Sequence, residues 1–311
     1  MTAEAGSSRL GLLYISTAGV LWGTGGLVAT MLHTRDGLGA MTTSAWRMLL
    51  AAAAILAFLL IIRRWRTLIA TFRAHPVRTV AVGTGTATYQ GLYFLSVLMV
   101  GVSVSTVIAL GLAPVLTAAW EHAVRRTVPS LRDVLVLAAA LTGLVVVSVG
   151  ADHVAPTAGG NTALGIGLAI LSGATYAATT VLGHHLAVRV DAVALNACAT
   201  TAGAVVLAPF LVFAVASGAP VLPGDGVSWA LLMYLGVATM AVAYGLLYLG
   251  LRTTPGSAAT VATLIEPVSA ALLAAAVLGE RLTWLTVVGG LLILSAVVAL
   301  RPSPEEPTAG L

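Results

Sequence analysis

The sequence predicts an all-α, polytopic membrane protein of ten transmembrane helices arranged as two inverted five-helix repeats. Three observations predict it: the composition, the succession of apolar runs, and a pair of helices whose residues recur in the second half. Hydrophobic residues make up 59% of the 311-residue chain and charged residues only 8%, with a mean hydropathy of +1.02. Soluble proteins carry about 25% charged residues. A soluble fold of this length keeps too much wet surface to hide so much apolar area, so lipid is the solvent for much of it.

A helix that crosses the hydrocarbon core needs roughly 20 apolar residues. The first such run, Leu10–Leu32, follows Arg9 and ends at His33. The second, Gly39–Ile62, stops at Arg63-Arg64. The third, Val77–Leu98, begins after His75-Pro76, and only Gly101 and its neighbours divide it from the fourth, Ser103–Ala123. The fifth, Leu131–Val149, starts after Pro129. A polar loop follows, and then Ala163–Ala187, Ala192–Val215, Val227–Leu249, Ser257–Leu278 and Leu282–Leu300, separated by short connectors of Gly, Pro, Asp, Arg or His. The organisation read from these runs is an N-terminal segment 1–8, a first repeat 9–150, a linker 151–162, a second repeat 163–301 and a disordered tail 302–311.

All 15 basic residues counted as Lys or Arg are arginine, and the net charge is +4. They sit in loops between apolar runs, where a membrane protein keeps them, which argues against a nucleic-acid partner. With a cytoplasmic N-terminus, the inner segments hold Arg9, Arg63, Arg64, Arg66, Arg73, Arg78, Arg125, Arg126, Arg132, Arg189, Arg252 and Arg301; the outer ones hold only Arg35 and Arg281. That asymmetry predicts an even number of spans, both termini cytoplasmic, and residence in the cell (plasma) membrane. The one cysteine, Cys198, forms no internal disulfide and no CxxC metal site. The first apolar run is too long for a signal-peptide core and reads as a retained helix.

The repeat is read from two stretches. Tyr89-Gln-Gly-Leu-Tyr93 is followed by a turn and a helix holding Ala113-Pro114. Tyr244-Gly-Leu-Leu-Tyr248 is followed by a turn and a helix holding Glu266-Pro267. Five spans per half is an odd number, so the second half must sit upside down relative to the first. Inverted repeats are a recurring design of secondary transporters, with the binding site at their interface.

The sequence also resembles the EamA-type permeases of the drug/metabolite transporter superfamily over nearly its whole length. The residues that carry the resemblance are Trp22-Gly23, Arg47, Leu264-Ile-Glu-Pro267 and Leu278-Gly-Glu280-Arg-Leu-Thr. The first half departs from the pattern: Thr127 stands where the second half has Glu280, and Ala113 where it has Glu266. The resemblance implies ten spans, a central cavity and secondary transport, often efflux, of amino acids and other metabolites.

Glu266 lies about ten residues into its span, roughly 15 Å deep. A carboxylate there is costly unless it is paired, hydrated or protonated. It is a candidate proton-coupling site or anchor for a substrate amine; the competing reading is a protonated acid that bonds a neighbouring helix. Arg47 lies roughly 12 Å deep and is a candidate for binding a carboxylate or phosphate, for pairing with Glu266, or for bracing helices. Pro114 and Pro267 each free a carbonyl four residues earlier, those of Leu110 and Thr263, which suits a cavity wall, a hinge or a harmless kink. Tyr89 with Tyr93, and Tyr244 with Tyr248, are i,i+4 pairs on one helix face, suited to stacking on an organic cargo or, at span ends, to the membrane interface. Gln90 adds a polar group beside the first pair. Trp22 reads as a cavity residue or a packing one, and Gly19 and Gly23 as a close helix contact. Tyr176, Thr179 and Thr180 are weaker candidates, Asn196 reads as structural, and Glu121 and His122 as surface charges. Glu280 and Arg281 read as capping the turn between the last two spans.

His184 and His185 lack partners at metal spacing, and no cofactor is expected. The expected partners are a small-molecule substrate, the lipid bilayer and possible coupling protons. The alternative is a membrane-embedded enzyme or sensor without transport activity. Against it stand the absence from the sequence of HExxH, GxSxG and GK[ST] motifs and loops too short for a signalling domain.

Overall fold

The computed structural model describes residues 2–150, 161–278 and 282–300, and every regular element among them is helical. The first half comprises α1 (Thr2–Asp36), α2 (Ala40–Ile61), α3 (Trp65–Ala74), α4 (Pro76–Val100), α5 (Val102–Arg125) and α6 (Leu131–Gly150). The second comprises α7 (Thr162–Ala187), α8 (Ala192–Ala216), α9 (Gly226–Gly236), a π-helical segment (Val237–Val242), α10 (Ala243–Gly250), α11 (Gly256–Thr263), α12 (Ile265–Leu278) and α13 (Trp284–Ala299).

Among the described residues, eight helical stretches are long and apolar enough to cross a membrane: Arg9–Asp36, α2, Val104–Arg125, α6, α7, α8, Gly226–Gly250 and Gly256–Val277. The chain is a multi-span membrane protein. The other two expected spans differ from these eight. α4 is 25 residues long but carries Thr79, Thr86, Gln90 and Ser96 in buried positions on its packed side, while Val77, Val80, Leu95 and Leu98 are exposed. α13 is strongly apolar but only 16 residues long.

Three further details differ from the sequence reading. α1 begins at Thr2, so described residues of the expected N-terminal segment already belong to the first helix. The arginine-rich connector after α2 contains α3, an amphipathic helix whose Trp65, Ile69 and Phe72 are exposed while Thr71 is buried. Asn161, expected in the linker, caps α7 by accepting a bond from the Leu164 N–H at 3.1 Å. Residues 151–160, Glu280, Arg281 and the tail lie outside the described residues.

Helix breaks follow the local chemistry. Gly101 adopts φ +84°, a left-handed conformation that glycine tolerates without strain, and it alone separates α4 from α5. Thr283 and Asp191 cap α13 and α8 by accepting backbone N–H bonds.

The helices pack reciprocally between halves. α4 lies along α7 and α8, while the α9–π–α10 stretch lies along α1 and α2. α5 packs on α7, and α11 and α12 pack on α1. α2 meets α8, and α6 meets α13, each contact being between corresponding helices. At the last of these the backbones nearly touch: a Cβ on Gly143 would lie 2.7 Å from the Gly289 carbonyl oxygen, and a Cβ on Gly289 would lie 2.7 Å from that of Gly143. The expected Gly19–Gly23 face does make a close contact, with Gly23 against the Glu266 carbonyl and Gly19 against that of Thr263. Large apolar side chains such as Ile61, Phe213 and Val298 are at least 71% exposed, as a lipid-facing perimeter requires.

Candidate functional site

A cavity of about 350 Å³ lies between the halves. Its walls come from α1 (Trp22, Gly23, Gly26), α4 (Tyr89, Tyr93), α5 (Thr106, Leu110), α6 (Val147, Ser148) and α12 (Glu266, Pro267, Ala270). Val102, Gly150, Ala274 and Thr286 line it as well. The volume falls in the range of about 300–1,000 Å³ typical of small-molecule sites, and the lining is mostly apolar with few polar groups, as such sites are.

Glu266 lines this cavity, and none of the described residues donates a hydrogen bond or ion pair to its carboxylate; its backbone carbonyl accepts from Ser269 Oγ at 2.9 Å. Its position is set by a broken helix. Pro267 has no N–H to offer the Thr263 carbonyl, and the chain passes from α11 to α12 through Leu264, whose N–H bonds to Val261 instead. Pro267 itself lines the cavity beside Glu266. Pro114, its counterpart, is buried inside an unbroken α5, although Leu110, whose carbonyl it frees, does reach the cavity. The two prolines therefore have unequal local effects.

Arg47 lies outside the lining. It donates through Nη2 to Thr239 Oγ1 at 3.0 Å and approaches Met240 Sδ at 3.6 Å, next to Gly25 of α1. Its Nε is buried without a partner. It forms no ion pair with Glu266; the ion pairs among the described residues are Arg35–Asp225 and Arg64–Asp191. It is held inside the bundle rather than snorkelling to the interface.

The aromatic candidates divide. Trp22 and Tyr244 have ring centroids 5.0 Å apart, tilted by 57°. Tyr89 and Tyr176 stack at 5.0 Å with planes 28° apart. Tyr89 and Tyr244 interact with one another through their side chains, so the four rings run from one half to the other. Trp22 and Tyr89 face the cavity; Tyr244 is buried behind Trp22. Tyr93 also lines it, its hydroxyl 2.7 Å from Thr106 Oγ1. Tyr248 is 2% exposed and packs in the core near Gly183, away from both cavity and interface. Gln90 is buried, with both side-chain polar atoms unpartnered, and does not line the cavity.

A model of the EamA-like transporter family matches residues 9–149 and, again, residues 163–301. The chain belongs to that family. Two curated relatives are similar to this chain over almost their full length. One is an uncharacterized transporter, YwfM, of Bacillus subtilis, 29% identical over 304 residues, covering 94% of this chain and 96% of the relative. The other is an uncharacterized inner membrane transporter, YicL, of Salmonella typhimurium, 27% identical over 301 residues, covering 95% and 96%. One crystal structure shares the fold, with a TM-score of 0.75 at 19% identity, covering 93% of this chain and 95% of that one.

Within this family member, two features of the site lie beyond the sequence reading, and one candidate gains weight. The π-helical segment turns carbonyls out of the helix ladder: Thr239 O accepts from Trp22 Nε1 at 2.9 Å, and Ala241 O accepts from Asn196 Nδ2 at 2.7 Å. No proline or glycine pattern announces that segment. Glu121, read as a surface charge, instead caps α11: it accepts from the Ser257 N–H at 3.1 Å and from the Ser257 hydroxyl. Tyr176 belongs among the leading candidates. It follows Trp22 by almost the interval that separates Tyr89 from Tyr244, a signal present in the sequence.

Proposed function

We propose that the protein is a secondary transporter that moves a small metabolite, an amino acid or a related amine-bearing compound, out of the cell by alternating access. The observation that carries this reading is a cavity at the junction of two reciprocally packed halves, lined by a carboxylate without a partner among the described residues. The reading takes the chain as ten spans in two inverted repeats, 9–150 and 163–301, joined by an external loop 151–162, with both termini cytoplasmic in the plasma membrane. The reciprocal contacts and the double match of the family model support it.

In this topology the cavity faces outward. Its mouth is lined by the N-terminal end of α5 (Val102), the C-terminal end of α6 (Gly150) and the later turns of α12 (Ala274). At the opposite ends of the same two spans, Glu121 caps α11 and Thr117 Oγ1 lies 3.0 Å from Thr260 Oγ1. These bonds shut the inner side. Transport requires them to part while the outer ends of α5 and α12 close, an exchange that inverted repeats perform. The break at Pro267 supplies a joint for it. Glu266 either carries the coupling proton or anchors cargo that runs down its own gradient.

Counterflow into liposomes containing the purified protein tests the reading. Saturable exchange of a labelled metabolite is the expected result. A folded sample that exchanges nothing across a broad panel of amino acids and related metabolites would overturn it.

A further inference from the structure

We infer that the cavity selects its cargo by charge: it takes organic amines with an apolar or aromatic body and no free carboxylate. This inference rests on the transport reading and narrows it.

Among the described residues that line the cavity, the charged side chain is Glu266 and no basic side chain is present. The carboxylate has no protein donor, so a cationic group entering beside it offsets the cost of holding a charge inside the membrane. An amino acid would also bring a carboxylate. The basic group described within the spans, Arg47, lies outside the lining, its Nη2 bonded to Thr239 and Met240 beside Gly25 and its Nε unpartnered, whereas α1 turns Trp22, Gly23 and Gly26 to the cavity. Among the described lining residues a cargo carboxylate would therefore meet a like charge and no basic side chain, an arrangement that specificity by repulsion exploits. The rest of the lining completes the chemistry. Trp22, Tyr89 and Tyr93 offer π-faces to a cation and an apolar body. The Tyr93 hydroxyl is already bonded to Thr106, leaving it less free to stand in for a carboxylate partner.

A matched trio tests the inference. 2-Phenylethylamine, phenylalanine and 3-phenylpropionate share a ring and differ in charge. Binding to the purified wild-type protein is measured by calorimetry, and exchange by counterflow. The expected result is saturable binding and exchange of 2-phenylethylamine, at least tenfold weaker binding of phenylalanine, and none of 3-phenylpropionate. Glu266→Gln should lose at least tenfold in amine binding, and Glu266→Asp should retain most of it. Phenylalanine or 3-phenylpropionate binding as tightly as the amine would overturn the inference, as would unchanged amine binding in Glu266→Gln. The wild-type trio decides the matter even where the variant fails to fold. Exchange of phenylalanine without exchange of the amine would sink charge selection and leave the transporter reading standing. Failure of all three, together with silence across the broader metabolite panel, would sink both.

Discussion

The rings of Trp22 and Tyr244 lie 5.0 Å apart across the boundary between the two halves, and the same relationship recurs between Tyr176 and Tyr89. Trp22 adds a hydrogen bond to the Thr239 carbonyl. One contact therefore both holds the halves together and forms part of the cavity wall. Trp22→Phe keeps a ring but removes the donor, and the expected loss is about 1 kcal/mol of stability. Trp22→Ala removes the ring as well and should cost about 3 kcal/mol or more. Thermal unfolding in detergent would show the order wild type, Trp22→Phe, Trp22→Ala; equal melting of all three would refute the role.

Glu121 and Ser257 join the C-terminal end of α5 to the N-terminal end of α11. Glu121→Ala leaves the Ser257 N–H without its cap, a change worth about 1 kcal/mol, and should open the inner side more often. A thiol placed by Thr117→Cys, in a Cys198→Ala background, reports on this. Labelling from the cytoplasmic side should accelerate several-fold when Glu121→Ala is added. Unchanged labelling would mean that the contact is no gate.

The Gly143–Gly289 approach leaves no room for a side chain. Gly143→Val places methyl groups against the Gly289 carbonyl and Ile293, and overpacking of this kind costs about 1–3 kcal/mol. Gly167→Val, where a Cβ meets nothing within 4 Å, is the control and should be near neutral.

At the opposite edge, Asp225 joins α9 to the end of α1. The Ser228 N–H, bonded at 2.7 Å, and then Arg35, at 2.6 Å, hold its carboxyl below the usual carboxylate range. A depressed value means the contribution is present above the ordinary carboxylate pKa and is lost as pH falls through the lowered one. The melting temperature of the wild type should exceed that of Asp225→Asn at neutral pH, and the gap should close on acidification. A gap that widened in acid would contradict the assignment.

Much of this was readable from the chain, and the limits of that reading are physical. Apolar runs announce helices that face lipid, and α2, α6, α7 and α8 stand close to their expected bounds. α4 gave a weaker apolar signal because one side of it packs on α7 and α8, where Thr79, Thr86, Gln90 and Ser96 are buried against protein and need not be apolar. Glu266 was legible because a carboxylate midway through an apolar run demands an explanation. The bonding of Arg47 to Thr239 was not, since it depends on a π-helical segment that carries no sequence mark. Glu121 was misplaced as a surface charge because its partner Ser257 lies more than a hundred residues away, and only packing brings them together.

The central claim is that Glu266 holds the cargo in a cavity shared by two exchanging halves. The measurement that tests it most directly is counterflow exchange by wild-type protein and Glu266→Gln, reconstituted side by side and matched for folded protein. The account predicts saturable exchange by the wild type and at least a tenfold lower rate for the variant. Equal exchange by the two proteins would contradict it.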